Sequence, residues 1–297
     1  MIKRFHFILL AIFLSPACLL ASHSEMLSTP SGIAVEMSWR IIEPGEIIVV
    51  RIEDTTDIEE AQVRFLENKF QMGRDGENHR LLAFICLGLD LEAGFYPLKV
   101  YIRKTSGKWE SVQRRIIVPA KKFPLRKLWV DERFLIPPPE FHERIEWEAE
   151  VLRVIYDMFT PRWLGEGNFI FPAPGMTNLN FGERRIFNNY HRSLHRGVDV
   201  ASPSGSPVIA SNSGKIVLAR NLYYAGNAVI IDHGLGVFTF YCHFSKIRVK
   251  RGDVVRKGDV IGSVGATGRV TGPHLHWSVR VGGKNVDPFS LLSLSLE

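Results

Sequence analysis

Short β-rich runs separated by turn residues fill this sequence on both sides of one helical segment, and that pattern restricts the chain to a mainly β fold. Between Gly32 and Val118 the runs are Ile47 to Ile52, Ala61 to Leu66, Leu81 to Cys86, Phe95 to Arg103 and Val112 to Val118. Pro44-Gly45, Asp75-Gly76 and Ser106-Gly107 supply the turns. Strands at this spacing predict an N-terminal β-sandwich of roughly Ig-like size over residues 30–120. It offers no catalytic constellation, and its only histidine, His79, lies in a polar loop.

Residues 121–165 read as a linker. Pro137-Pro138-Pro139 interrupts regular structure, and residues 140–159 then read as a helix. Ile145, Ala149, Leu152, Tyr156 and Phe159 form one apolar stripe, ended by Pro161. The stripe is expected to dock on a neighbouring domain. From Gly167 onward the chain is again β-rich and dense in glycine. Candidate strands are Pro207 to Ala210, Gly214 to Ala219, Ala228 to Asp232, Val237 to His243, Val260 to Val264 and His274 to Val281. At 297 residues two domains are expected, the second over 166–297 and able to fold by itself.

Lys3 and Arg4 precede an apolar run from Phe5 to Leu20, the arrangement of a secretory signal over residues 1–21 with cleavage after Ala21. An uncleaved anchor is the alternative, although the run falls just short of a comfortable membrane span. The expectation is an exported protein of the periplasm or cell envelope, without stable membrane insertion after cleavage. The charge is uneven: residues 1–165 balance at −1 and residues 166–297 at +7. A basic C-terminal half suits an anionic polymer, an acidic wall or a membrane surface. Nucleic acid is the weakest of these, because basic and aromatic residues do not alternate as RNA-binding surfaces require. Cys86 and Cys242 fall in different predicted domains, so they are read as small packed residues and not as a disulfide.

Six of the ten histidines lie in the C-terminal half. In His195-Arg196-Gly197-Val198-Asp199 the glycine and β-branched residues favour a strand, which would bring His195 and Asp199 to one face. In Gly272-Pro273-His274-Leu275-His276 the two histidines share a face, and burying both imidazoles requires partners for four ring nitrogens. Period two places His243 on the face of Thr239 and Tyr241, opposite Phe240 and Cys242. Taken together these residues suit catalytic zinc chemistry, which takes three protein ligands, an open position for water, a base and donors for an oxyanion.

H-x-x-x-D, then Y-x-H-x-S, then G-P-H-L-H resembles the signature order of the lysostaphin/LytM-type zinc endopeptidases that cut peptidoglycan peptides. The similarity covers about residues 175–290. It extends to Phe181-Gly182-Glu183-Arg184, Gly226-Asn227, Ile231-Asp232-His233-Gly234, Lys257-Gly258-Asp259, Gly265-Ala266-Thr267-Gly268 and Asp287-Pro288. The resemblance implies an antiparallel β-sheet with an open groove and one Zn2+ per chain held by His195, Asp199 and His276. It also implies that His243 and His274 activate water and stabilise the transition state. Cys242 departs from the alanine common in the family, and the segment Arg185 to Leu194 departs as well; its His191 reads as a solvated loop residue. His233 belongs to the pattern without a ligand role, and Tyr241 either points toward the site or simply packs.

The expected function is a zinc endopeptidase acting on peptide cross-links or stem peptides of bacterial peptidoglycan. The rival is a wall-binding or regulatory protein that keeps the metal without turnover. The sequence names no protein partner.

Overall fold

The computed structural model describes residues 22–76, 80–130, 132 and 135–296; the export signal over residues 1–21 and the loop histidine His79 lie outside them. The fold is mainly β. Its N-terminal part is two antiparallel sheets face to face. One holds β1 (His23–Ser28), β2 (Ala34–Trp39), β3 (Ile47–Ile52), β6 (Gly73–Asp75) and β7 (Leu81–Cys86), in the order β1-β2-β3-β7-β6. The other holds β4 (Ile58–Phe65), β5 (Asn68–Gln71), β8 (Gly94–Lys104) and β9 (Trp109–Val118), in the order β5-β4-β8-β9. Ile48, Val50 and Ile52 of β3 point between these sheets, against Val63, Val100 and Ile102.

Ile47 and Val49, the intervening residues of β3, point the other way. With Leu82, Phe84 and Cys86 of β7 they join the core of the C-terminal half, among Val279, Val281, Leu235 and Leu291. The middle sheet is therefore buried on both faces, which explains why β7 is apolar throughout and β3 is apolar except at Arg51, instead of alternating. Arg40 binds Glu46 and, at 2.6 Å, Asp287, while Ile47 N donates to Ser290 Oγ at 3.0 Å. The two halves thus share a core across the middle sheet, beside the one inside the N-terminal sandwich.

The segment read as a linker is structured. β10 (Leu125–Leu128) pairs in parallel with β13 (Arg184–Phe187), and β11 (Arg162–Trp163) pairs in parallel with β6, extending the N-terminal sheet. Helix α1 (His142–Asp157) follows a single 3-10 turn at Pro139–Phe141. Its buried residues are Glu148, Ile155 and Tyr156; Leu152 and Tyr156 of the predicted stripe pack on the C-terminal sheet, whereas Ala149 and Phe159 are exposed. Glu148 is tolerated there because Arg144 Nε donates to it at 2.6 Å and Tyr223 N at 2.7 Å. No helix among the described residues is long and apolar enough to cross a membrane.

The C-terminal sheet runs β12 (Met176–Asn178), β15 (Val198–Ala201), β22 (Leu275–Val281), β19 (Val237–Ile247), β18 (Gly226–Asp232), β17 (Gly214–Leu222) and β20 (Val254–Val255). β14 (His191–Leu194) pairs with β13, β16 (Pro207–Ile209) with β21 (Val260–Val264), and β23 (Lys284–Val286) with β22. A short helix α2 (Pro288–Leu292) closes the chain against the shared core. One face of the sheet, with Val229, Tyr241, Trp277 and Val279, is that core. On the other, α1 covers Ile230 and Phe238 at one end and leaves the end with His276 open.

Candidate metal centre

Antiparallel register puts Asp199 of β15 directly opposite His276 of β22, and His276 opposite Cys242 of β19. Residues facing each other across a ladder project to the same side. His195 enters from the turn before β15. Gly197 makes that approach possible: a Cβ there would stand 2.9 Å from His276 Cε1 and 2.5 Å from the Trp277 carbonyl oxygen.

Three donor atoms converge. His195 Nε2 lies 3.1 Å from Asp199 Oδ1, His276 Nδ1 lies 2.9 Å from the same oxygen, and the two ring nitrogens are 3.2 Å apart. Two ligands of a tetrahedral zinc, bonded at about 2.0–2.1 Å, stand roughly 3.3 Å from each other. Proton accounting supports a cation at their centre. His195 Nδ1 faces the Asn180 carbonyl at 3.0 Å, an oxygen that can only accept, so that nitrogen carries a proton and in the neutral ring Nε2 presents a lone pair. A lone pair directed at a carboxylate oxygen is repulsive unless a positive charge lies between them. The donor set, two imidazoles and one carboxylate, suits a transition-metal dication.

Asp199 is held from behind. Its Oδ2 accepts from Asn180 Nδ2 at 3.1 Å and from Arg185 Nη2 at 3.3 Å, and Arg185 is fixed by Glu183 at 2.6 Å. Neither Asn180 nor Arg185 was singled out from the sequence; the signal for Arg185 was its place in strand alternation with Ser193 and His195.

His243 and His274 complete the cluster, with ring centroids 4.9 Å apart and His243 6.1 Å from His276. His243 does not share the face of Thr239 and Tyr241, contrary to simple alternation. Its φ is +67°, a left-handed conformation that turns the side chain over to the metal side, and its N–H leaves the ladder for the Ala225 carbonyl at 2.8 Å. Tyr241 stays in the core, where Ser211 N donates to its hydroxyl at 3.0 Å. Both outer histidines have Nδ1 against a carbonyl, His243 at Thr267 and His274 at Gly272, each 2.9 Å, so their Nε2 lone pairs are the reactive ends. Burial lowers the His243 pKa to about 3 and keeps that ring neutral. His233 is buried elsewhere, its Nδ1 donating to Ser213 O at 2.8 Å. His191 sits in the β13–β14 hairpin, its ring tilted against Phe187 with centroids 6.2 Å apart, and the segment read as a loop is that hairpin.

All five residues line one cavity of about 460 Å³. The groove expected from the sequence has a side wall: Leu128, Trp129, Val130 and Leu135 of the segment before α1 face the cluster. Asn188 pins this wall, accepting from Val130 N at 2.9 Å and donating to Val130 O at 2.8 Å.

Residues 193–288 match the model of peptidase family M23. A peptidoglycan DD-endopeptidase, ShyA of Vibrio cholerae serotype O1, is 49% identical over 109 residues, which are 36% of this chain and 25% of that protein. A DD-carboxypeptidase/endopeptidase, Mpg of Neisseria meningitidis serogroup B, is 49% identical over 98 residues, 33% of this chain and 23% of Mpg. The match thus spans about a quarter of the length of these curated relatives. A Pseudomonas aeruginosa crystal structure, proposed to be an M23 peptidase, is 29% identical with a TM-score of 0.63, covering 85% of this chain and 96% of that one. In fold and in this C-terminal sequence, the chain carries a metallopeptidase domain that belongs to peptidase family M23.

Proposed function

We propose that this protein is an exported zinc endopeptidase that hydrolyses peptide cross-links or stem peptides of peptidoglycan in the cell envelope. The observation that carries the reading is the convergence of His195 Nε2, Asp199 Oδ1 and His276 Nδ1 within 3.2 Å of one another, beside two further histidines whose Nδ1 atoms are committed to carbonyls and whose Nε2 atoms remain to exchange a proton. His195, Asp199 and His276 would hold one zinc ion, which when bound supplies a Lewis acid and an acidified water. His243 and His274 accept a proton at Nε2 and, once protonated, donate it toward developing negative charge or the leaving amine. Asn180 and Arg185 keep the Asp199 carboxylate oriented. The relatives named for cutting peptidoglycan supply the substrate class, and the basic C-terminal half suits an acidic wall.

The test is digestion of purified peptidoglycan by the full-length protein, with mass analysis of the soluble fragments. Peptide-bond cleavage that a chelator abolishes and added Zn2+ restores is expected. A metal-loaded protein that binds the wall but releases nothing would establish the non-hydrolytic alternative instead.

A further inference from the structure

His243 reaches the metal side through a bulge, and the bulge opens the ladder between β18 and β19. Asn227 faces Phe244 and Val229 faces Tyr241, so two steps along β18 match three along β19. One hydroxyl closes the opening. Thr267 Oγ1 accepts from Asn227 N at 2.9 Å and donates to the Phe244 carbonyl at 2.8 Å, tying the two strands at the residue after His243. Asn227 Nδ2 donates to the same carbonyl at 3.0 Å.

Thr267 meets His243 directly as well, through its backbone: the Thr267 carbonyl accepts from His243 Nδ1 at 2.9 Å. His243 N is held in turn by the Ala225 carbonyl at 2.8 Å. Ala225 and Thr267 belong to two loops pressed against each other. A Cβ on Gly226 would stand 2.3 Å from Thr267 Oγ1, and one on Gly268 would stand 2.3 Å from Gly226 N, so the contact leaves room only for glycine on both sides. The left-handed backbone of His243, at φ +67°, is strained and persists because these surroundings enforce it. A carbonyl fixed in this way also decides which ring nitrogen carries the proton, since Nδ1 must donate to it and Nε2 is left to exchange one. An imidazole without that partner presents either nitrogen.

We infer that Thr267 is a positioning residue for the hydrolysis: its hydroxyl locks the bulge that turns His243 to the metal side, and its carbonyl keeps Nε2 as the exchanging nitrogen. The inference rests on the peptidase reading of the site. It gives a task to Gly265-Ala266-Thr267-Gly268, a segment of the signature that supplies neither a proposed metal ligand nor a proton carrier. Thr267 acts through His243 and leaves the proposed ligands His195, Asp199 and His276 in place.

The experiment uses the full-length, zinc-loaded protein and two substitutions of Thr267. Thr267→Val keeps the shape and removes the hydroxyl, whereas Thr267→Ser keeps the hydroxyl. Both should hold as much zinc as the parent. Hydrolysis of peptidoglycan by Thr267→Val should fall at least about tenfold, toward the loss expected of His243→Ala, and Thr267→Ser should recover most of the rate. In a His243→Ala background Thr267→Val should have no further effect, because both changes remove one function. Nitrogen NMR of histidine-labelled protein reads the ring without turnover, the His243 signal being assigned by its loss in His243→Ala. The parent and Thr267→Ser should show the Nδ1–H tautomer, and Thr267→Val a mixture of tautomers. A parent with that tautomer that releases no wall fragments would sink the peptidase reading and leave the positioning of His243 standing. An Nε2–H ring in the parent would overturn the role of Thr267 even where Thr267→Val does not fold. So would a Thr267→Val rate equal to the parent's, or one that falls by the same factor with and without His243, as a merely structural change would.

Discussion

Two histidines separated by a single leucine take different positions at the centre. His276 Nδ1 is 2.9 Å from Asp199 Oδ1, whereas His274 Nε2 is 3.8 Å from it and its other nitrogen is committed to Gly272. This separation makes metal binding and proton transfer distinguishable by substitution. His276→Ala removes one of three proposed ligands and is expected to leave the purified protein with little zinc. His274→Ala leaves those three in place, so zinc should remain near one equivalent while hydrolysis falls on the order of a hundredfold to ten-thousandfold. His243→Ala should follow His274→Ala, and Asp199→Ala should follow His276→Ala. Metal analysis and rates on the four variants check this; a His274→Ala protein without zinc would reverse the roles.

At the level of elements, the centre depends on how closely β15 approaches β22. Gly197 lies where the chain enters β15, and an added methyl would meet Ser278 Cβ at 2.8 Å as well as the Trp277 carbonyl and the His276 ring. Backbone and a buried strand cannot yield as a flexible side chain would. Gly197→Ala is therefore expected to push β15 outward, costing about 1–3 kcal/mol of stability. Its larger effect should be on zinc affinity, because His195 and Asp199 flank the displaced residue. Denaturation curves and competitive zinc titration measure both; an alanine variant with parental zinc affinity would show that the entry to β15 does not set the ligand spacing. The same scale explains where strand alternation failed. His243 departs from period two because one left-handed residue reverses its side, and no residue type at that position announces it: histidine at positive φ is uncommon and glycine would have been the expected signal.

Across the whole molecule, the middle sheet joins both halves. Ile47, Val49, Leu82, Phe84 and Cys86 pack on the peptidase side, and Arg51 and Arg80 donate to the carbonyls of Ser295 and Leu296 at 2.8 Å and 3.0 Å. A fragment of residues 166–297 would expose the opposing apolar surface of Leu235, Val281 and Leu291 and lose these bonds. Such surface is worth about 25 cal/mol per Å² removed from water. The fragment, which the sequence alone would expect to fold unaided, should melt at a lower temperature than the full chain and associate in solution. Calorimetry with sedimentation analysis checks this, and a monomeric fragment as stable as the full protein would show that the interface contributes little.

The sequence by itself determined the elements and the cast of the site. Turn residues bracketed the strands from Ile47 to Val118 and from Pro207 to Val281, because glycine, proline and aspartate act locally on the backbone. His195, Asp199, His243, His274 and His276 were legible because two-residue spacing and segment order are one-dimensional properties. Only the tertiary structure decided what lies between and around them. The wall of Leu128, Trp129, Val130 and Leu135 and the support of Asp199 by Asn180 and Arg185 join residues distant in the chain. The apolar character of β3 and β7 was visible, yet an apolar run says that both faces are buried without saying against what. That second partner, the C-terminal half of the same chain, is fixed by long-range packing, whose free energy belongs to pairs of surfaces and is written in neither segment alone.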